Sequence, residues 1–416
     1  FSNLSGYADK TLSDRSYRRE SLKTPDIKSK RALGNFDCIS APCRDACGTG
    51  QDIPDYMYYT SEGMFDKAFE VILRTNPFPA ATGMVCDHLC QGRCTRINYD
   101  DPLMIREVKR FISEQNEAKP GSGKASGLKV AVIGAGPSGL SCAYYLALAG
   151  FSVDIFEAKA EAGGMVRFAI PGFRLTNEAL EKDIARITGL GVNIHYNTTI
   201  DSEFFKSLTE NFASVFIGAG AQLSSPFNIE GADAAGVIEP LRFLFDAKQH
   251  KPTGAGMNIV IIGGGNTAMD AARTAFRLAG EDGKVTVVYR RTINEMPADQ
   301  GEIKAVMKED VEIVELVAPE KVIVEKGHVT ALLCSRMELK GTDSKGRPVP
   351  VKIEGSEFEL KCDTVIPAIG QVTDISFIAS DLLAVQAGSY RTRKDNIYIG
   401  GDALRGASTA INAIGD

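Results

Sequence analysis

No basic stripe runs through this chain of 416 residues: its 47 lysines and arginines are interleaved with 53 acids, for a net charge of -6. That balance argues against a nucleic-acid partner and against docking on an anionic membrane surface. Nor is there a plain apolar run. The longest charge-free stretch, Val130 to Val153, is interrupted by Gly134, Gly136, Pro137, Gly139 and Gly150, so a strand, a turn and a helix account for it better than a membrane span. The polar N-terminal segment lacks the apolar core of an export signal, so a cytoplasmic location is expected and disulfides are not. No C-x-x-C pair occurs among the nine cysteines, which argues against zinc knuckles and a redox-active dithiol. The four histidines, His88, His195, His250 and His328, read as structural residues, and no catalytic acid-base pair is expected. A start at Phe1 and an end at Asp416 inside a helical pattern read as a segment of a longer polypeptide.

What is present is glycine at particular places. Gly134-x-Gly136-x-x-Gly139 follows an apolar run at 129–133, and Gly263-x-Gly265-x-x-Ala268 follows one at 258–262. Such glycines let the backbone turn tightly and approach a pyrophosphate, whose charge rests on a helix N-terminus carrying roughly +0.5 elementary charge. The next strands end differently. Glu157 closes the first, where a carboxylate accepts ribose hydroxyls, and Arg290 and Arg291 close the second, where arginines accommodate a 2′-phosphate. Two dinucleotides are therefore expected, one without that phosphate and one with it. Charge-assisted hydrogen bonds of about 1.5 to 3 kcal/mol each favour NADP(H) over NAD(H) at the second site, where Asn266 and Thr267 open the helix.

Further segments fit a flavin at the first site. Gly164 allows close backbone approach to the same ligand as Pro137 and Glu157, with Arg167 and Arg174 in the segment beyond it. Near the end of the chain a strand runs into Gly401 and Asp402, followed by Thr409 and Ala410. The Asp is placed to accept from a ribityl chain, and a helix start near Thr409 to stabilise a reduced flavin. This combination resembles the two-dinucleotide-binding flavoproteins, in which an FAD domain built from both ends of the chain surrounds an inserted nucleotide domain. The segments Phe216–Gln222 and Ile366–Gln371 resemble their hinge strands. Strands are expected at 129–133, 152–156, 192–195, 214–217, 258–262, 284–289, 363–367 and 396–399, alternating with helices as in parallel sheets.

Six cysteines crowd the N-terminal part: Cys38, Cys43 and Cys47, then Cys86, Cys90 and Cys94. Members four apart share a helical face. Iron–sulfur ligation is the leading reading, with zinc or plain buried thiols as alternatives. Cys142, Cys334 and Cys362 read as small buried apolar residues. Helix is expected over Ile53 to Arg74.

With Ala41-Pro-Cys-Arg-Asp-Ala-Cys47, Asp52-Ile-Pro54, Thr82-Gly-Met-Val-Cys86, Ala169-Ile-Pro-Gly-Phe-Arg174 and Arg290-Arg-x-x-x-Glu-Met-Pro297 in this order, the chain from Asp37 onward resembles one family. It is the family of the NADPH-dependent glutamate synthase small subunit and the N-terminal half of dihydropyrimidine dehydrogenase; the cysteine wording is nearest its selenate reductase branch. The resemblance implies an α/β fold with two Rossmann-like dinucleotide-binding domains, one inserted in the other, preceded by an α-helical iron–sulfur domain. It implies FAD, NADPH and one or two [4Fe-4S] clusters, feeding electrons to or from another subunit or domain. The implied limits are 1–118 for the helical domain, 119–127 for a linker, 128–251 with 366–416 for the FAD domain and 252–365 for the NADPH domain. By position, Cys38, Cys43 and Cys94 would serve one cluster and Cys47, Cys86 and Cys90 the other. The family's remaining ligands align with Asn35 and with Lys109, which cannot serve when protonated; Asp37, Asp87 and His88 are the alternatives. A docking module without clusters and a flavin enzyme that reduces a small substrate directly are the competing readings.

Overall fold

Prolines punctuate the first helices. In a computed structural model that describes residues 41–416 apart from 118–120, 122, 281, 345, 384 and 386–388, Pro42, Pro54 and Pro79 stand in the first turns of α1 (Pro42–Asp45), α2 (Ile53–Ser61) and α4 (Pro79–Val85). There the missing N–H has no helical partner to lose. Between them runs α3 (Phe65–Leu73), and α5 (Ile105–Gln115) closes the bundle. Ile53, Tyr56, Phe69, Ile72, Ile105 and Ile112 form its core with Cys90. The single helical stretch expected over Ile53 to Arg74 is two helices, because Gly63 takes φ +70 between them, the left-handed conformation that ends a helix.

Next come β1 (Lys129–Ile133), α6 (Pro137–Leu148), β2 (Ser152–Phe156), α7 (Gly164–Phe168), α8 (Asn177–Thr188), β3 (Asn193–His195), α9 (Ser202–Asn211), β4 (Ser214–Ile217), β5 (Leu223–Ser224) and α10 (Pro240–Lys248). They are followed by β6 (Asn258–Ile262), α11 (Asn266–Ala279), β7 (Lys284–Tyr289), α12 (Gln300–Lys308), β8 (Glu312–Glu315), β9 (Val317–Glu325), β10 (His328–Thr342), β11 (Pro348–Lys352), β12 (Phe358–Lys361) and β13 (Thr364–Pro367). The chain returns through β14 (Gln371–Val372), β15 (Ile397–Ile399), α13 (Asp402–Arg405) and α14 (Ala410–Gly415).

The first sheet has the order β15-β4-β1-β2-β3, and every pair in it is parallel. Its edge strand β15 arrives only after the second sheet, β13-β6-β7-β8, is complete. One unit is thus inserted in the other, joined by the ribbon β5/β14. The charge-free stretch is β1, a turn, α6 and the start of β2, and among the described residues no helix is long and apolar enough to cross a membrane. Both faces of the first sheet are covered, one by a core with Leu140, Ile155 and Ile187, the other by one with Phe205 and Ile378. That is why its strands read as continuous apolar runs.

The helical bundle docks on this unit through buried charge. Asp183 on α8 accepts the backbone N–H groups of Ala80 and Ala81 on α4, the latter at 2.8 Å, and pairs with Arg186 at 2.8 Å. Arg186 also donates to the Pro77 carbonyl and lies over the Phe69 ring. Burial pushes the Asp183 carboxyl up to about 6, still ionised at neutral pH beside its guanidinium.

Candidate functional site

A cavity of about 950 Å³ lies where the C-terminal ends of the two parallel sheets face one another, the usual ligand position in open α/β folds. Both glycine turns line it. In the first, a Cβ on Gly139 would meet the Gly134 carbonyl oxygen at 2.0 Å, so α6 closes on the turn only because that residue is glycine. Gly136, Pro137 and Ser138 bring the start of α6 to the cavity wall. The Ser138 hydroxyl is buried there with no partner, as a donor awaiting a phosphate oxygen would be. Glu157 is 3% exposed, and its carboxylate accepts the N–H of Ala135 at 2.7 Å and of Lys159 at 2.9 Å. Those bonds hold the carboxylate beside the first turn.

The two hinge segments reach the same cavity. Gly218 to Gln222 lie over the first turn and Ala368 to Gln371 over the second. The approach is close in both: a Cβ would meet the Gly218 oxygen at 2.6 Å from Gly134 and the Ala368 oxygen at 2.2 Å from Gly263. Gly164, Asp402, Thr409 and Ala410 also line the cavity. Burial raises the Asp402 carboxyl above its usual value, and one of its oxygens accepts the Ser408 N–H at 3.1 Å.

Gly263, Gly265, Asn266 and Thr267 line the second half, with Arg290 and Arg291 at its far end. The two arginines are not equivalent. Arg290 is exposed, whereas Arg291 is 5% exposed, donates to the Pro348 carbonyl at 2.7 Å and lies 3.8 Å from Asp343. Arg347, on the connection from β10 to β11, lines the cavity beside them and is held to Asp343 at 3.1 Å. It was missed in the sequence, because nothing in the pattern brings that hairpin next to β7.

Three of the predicted cofactor residues do not line the cavity. Arg167 is buried, bonded to the Ala162 carbonyl and paired with Glu161 and Glu181. Gly139 acts through packing, and Gly401 presses on Ser138, where a Cβ would come within 2.7 Å. Arg174 does line it, but its guanidinium is committed to Asp270 at 2.6 Å and Glu302 at 2.9 Å.

The cysteine loop reaches the same wall. Val85 and Asp87, on either side of Cys86, line the cavity. Asp87 accepts from Asn266 at 3.2 Å, and Asn266 accepts the Asp299 N–H at 2.8 Å. Burial, then the Asp299 charge, raises the Asp87 carboxyl. Arg106 donates to the Cys86 carbonyl and lies 3.1 Å from His88. Cys86, Cys90 and Cys94 are buried, Cys43 and Cys47 half-buried, and none of the five is in a disulfide. Burial pushes the Cys90 thiol up to about 12. Lys109, in the aligned ligand position, is buried as well. Cys38, Asn35 and Asp37 lie outside the described residues. Among the described residues no group of three or more His, Cys, Asp or Glu could hold a single metal ion.

Residues 128–416 match the family model of the pyridine nucleotide-disulphide oxidoreductases, and residues 18–120 match one described as dihydropyrimidine dehydrogenase domain II, 4Fe-4S cluster. The NADPH-Fe(3+) oxidoreductase subunit beta of Geobacter sulfurreducens is 41% identical over 359 residues, which is 83% of this chain and 53% of that protein. The NADP(+)-dependent formate dehydrogenase subunit beta of Moorella thermoacetica is 36% identical over 414 residues, 90% of this chain and 58% of that protein. The chain thus spans little more than half the length of these curated relatives. Against the glutamate synthase (NADPH) small chain of Escherichia coli it is 31% identical, with 92% of this chain and 87% of that protein covered. Among solved structures, Mycobacterium tuberculosis FprA in complex with NADPH shares the fold, with a TM-score of 0.58 at 20% identity over 69% of this chain and 83% of that one. The chain therefore belongs to the pyridine nucleotide-disulphide oxidoreductases, among the FAD- and iron–sulfur-containing members that include the glutamate synthase small chain.

Proposed function

We propose that this chain is the electron-input module of a longer, cytoplasmic, NADPH-dependent oxidoreductase, with FAD at the first turn, NADPH at the second and an iron–sulfur centre among the cysteines leading to another domain or subunit. Bound FAD supplies the conversion between two-electron and one-electron chemistry. The chain's own residues bind and orient: Ser138 and the N–H groups at the start of α6 for the pyrophosphate, Glu157 for the ribose, Asp402 for the ribityl hydroxyls, Arg290 for the 2′-phosphate. Small residues at Gly218 to Ala221, with Ala368 and Gly370, leave room for the two ring systems to meet. We assign 128–251 with 366–416 to the FAD unit, 252–365 to the NADPH unit, 1–118 to the cluster domain and 119–127 to the linker.

The observation that carries this reading is the shared wall: the residues flanking Cys86 line the same cavity as both glycine turns. An exit for single electrons therefore begins where the dinucleotides converge. The names of the relatives, an NADPH-Fe(3+) oxidoreductase and two NADP-linked enzymes, in each case as a subunit or small chain, point the same way. Anaerobic purification with flavin, iron and sulfide quantified per chain tests it, followed by titration with NADPH. Stoichiometric FAD, bound iron and sulfide, and bleaching of both chromophores are expected. Flavin without iron would mark the helical domain as a docking module, and a colourless protein would overturn the reading.

A further inference from the structure

Segment 85–87 belongs to neither dinucleotide unit, yet it stands between their two turns. Val85 packs in the core that contains Ala135 of the first turn and Val166 of α7. Two residues later, Asp87 accepts from Asn266, the first residue of α11 at the second turn, at 3.2 Å. The loop is fixed on both sides of that carboxylate. Arg106 donates to the Cys86 carbonyl at 3.2 Å and lies 3.1 Å from Nδ1 of His88, which is itself 3.8 Å from the Asp299 carboxylate. His88 also takes φ 38, a left-handed conformation that a residue with a side chain holds where its surroundings impose it.

Four carboxylates line the cavity: Asp87, Glu157, Asp270 and Asp402. Three of them are engaged. Glu157 accepts two backbone N–H groups beside the first turn, Asp402 accepts the N–H of Ser408, and Asp270 is paired with Arg174. Asp87 has the neutral amide of Asn266, and among the described residues no Lys, Arg or His pairs with it. A carboxylate withdrawn from water calls for a cation or for further hydrogen-bond donors. A nicotinamide offers both. Its carboxamide donates N–H, and its ring, neutral in NADPH, carries one positive charge once the hydride has passed to the flavin with both bonding electrons.

We infer that Asp87, supplied by the helical domain, binds the nicotinamide end of NADP(H), accepting the carboxamide N–H and holding its negative charge beside the ring. The inference rests on the proposed function in requiring FAD at the first turn and NADPH at the second, and it needs no iron–sulfur centre. A fixed charge in that place acts unequally on the two redox forms. NADPH, neutral at the ring, gains the hydrogen bond alone. NADP+ gains a Coulombic attraction as well, and so does the transition state in which the ring charge develops. The 2′-phosphate, the pyrophosphate and both riboses are the same in the two forms, so a difference between them reports on the ring. The helical domain thereby completes the site at which electrons enter.

The test compares wild type, Asp87→Asn and Asp87→Ala by anaerobic calorimetry. NADP+ is titrated into the oxidised flavoprotein and NADPH into the dithionite-reduced one, pairs in which no hydride moves, and flavin content checks folding. Asp87→Asn keeps an oxygen for Asn266 and for the carboxamide and deletes the charge. Its Kd for NADP+ should rise about tenfold or more, with the Kd for NADPH within about threefold of wild type. Its limiting rate of flavin reduction by NADPH should fall as well. Asp87→Ala should weaken both nucleotides, and NADP+ the more. Equal shifts for the two nucleotides in Asp87→Asn, or no shift for NADP+, would overturn the inference, because a carboxylate that merely braces Asn266 does not distinguish them. A wild type that retains flavin but binds neither nucleotide would instead overturn the proposed function.

Discussion

At the scale of residues, the site depends on which of several like groups is free to act. Arg290 and Arg291 are neighbours in sequence, yet Arg291 spends its guanidinium on Pro348 and Asp343 while Arg290 remains exposed at the cavity. Arg347 joins Arg290 there, fixed by its backbone N–H at 2.9 Å and its guanidinium at 3.1 Å from Asp343. Two such arginines on a 2′-phosphate contribute about 1.5 to 3 kcal/mol each through charge-assisted bonds. Arg290→Ser and Arg347→Ser should each raise the Kd for NADPH about tenfold or more, with the Kd for NADH nearly unchanged, when binding is followed on the oxidised flavoprotein. Equal weakening of both nucleotides would show that these arginines position the strand end rather than read the phosphate. Arg291→Ser belongs to another class of change, because it removes the donor to the Pro348 carbonyl and one of the guanidinium groups beside Asp343.

At the scale of elements, α11 and α12 are joined by charge. Arg273 and Arg277, one turn apart on α11, both grip Glu309 at the end of α12, at 2.9 and 2.8 Å. Burial pushes the Glu309 carboxyl up, but hydrogen bonds from Arg277 and Arg273 outweigh it and hold the group at about 2. Its folded-state value lies below the ordinary one of 4.5, so the stabilisation is complete above that pH and disappears as pH falls toward about 2. Thermal denaturation of wild type and Glu309→Gln should therefore differ most at neutral pH, with the gap closing in that acid window. A gap that persists unchanged through it would mean that packing, not ionisation, holds the two helices. The same elements show what sequence can and cannot reveal. Strands β1, β2, β4, β6 and β7 begin and end at the expected residues, because they are apolar runs buried on both faces, and β1, β4 and β6 run directly into glycine. Strands β8 to β12 were not anticipated. In β10 the register shifts between Val329 and Ala331 and again between Leu333 and Cys334, and each shift breaks the alternation that would have marked a strand. The glycine turns and Glu157 were legible for the same local reason, while Arg347, the withdrawal of Arg291 and the burial of Lys109 depend on contacts between distant segments.

At the scale of the whole molecule, hydride transfer requires two units with separate sheets to hold their ligands in one relative position. Arg174 is the side chain best placed to set it. It follows α7 in the first unit, is 10% exposed on its side chain, and binds Asp270 on α11 and Glu302 on α12, both in the second unit. Glu302 is shared with Arg273 at 2.7 Å, so the bridge continues into the network that ends at Glu309. Burial already pushes the Asp270 carboxyl up to about 6 with Arg174 in place, and removing that guanidinium would strand two acids in a dry contact. Arg174→Met keeps the volume and deletes the charge. Because Arg174 touches the partner unit rather than the first turn, flavin content should be unchanged. The limiting rate of flavin reduction by NADPH in stopped-flow should fall at least about tenfold, since a misplacement of about 1 Å at the reacting centres has effects of up to about a hundredfold. The Kd for NADPH should move much less than that rate, because Arg290 and Arg347 lie on the nucleotide's own unit. A normal limiting rate with a weakened Kd would assign Arg174 to nucleotide binding and leave the relative position of the two units to the β5/β14 ribbon.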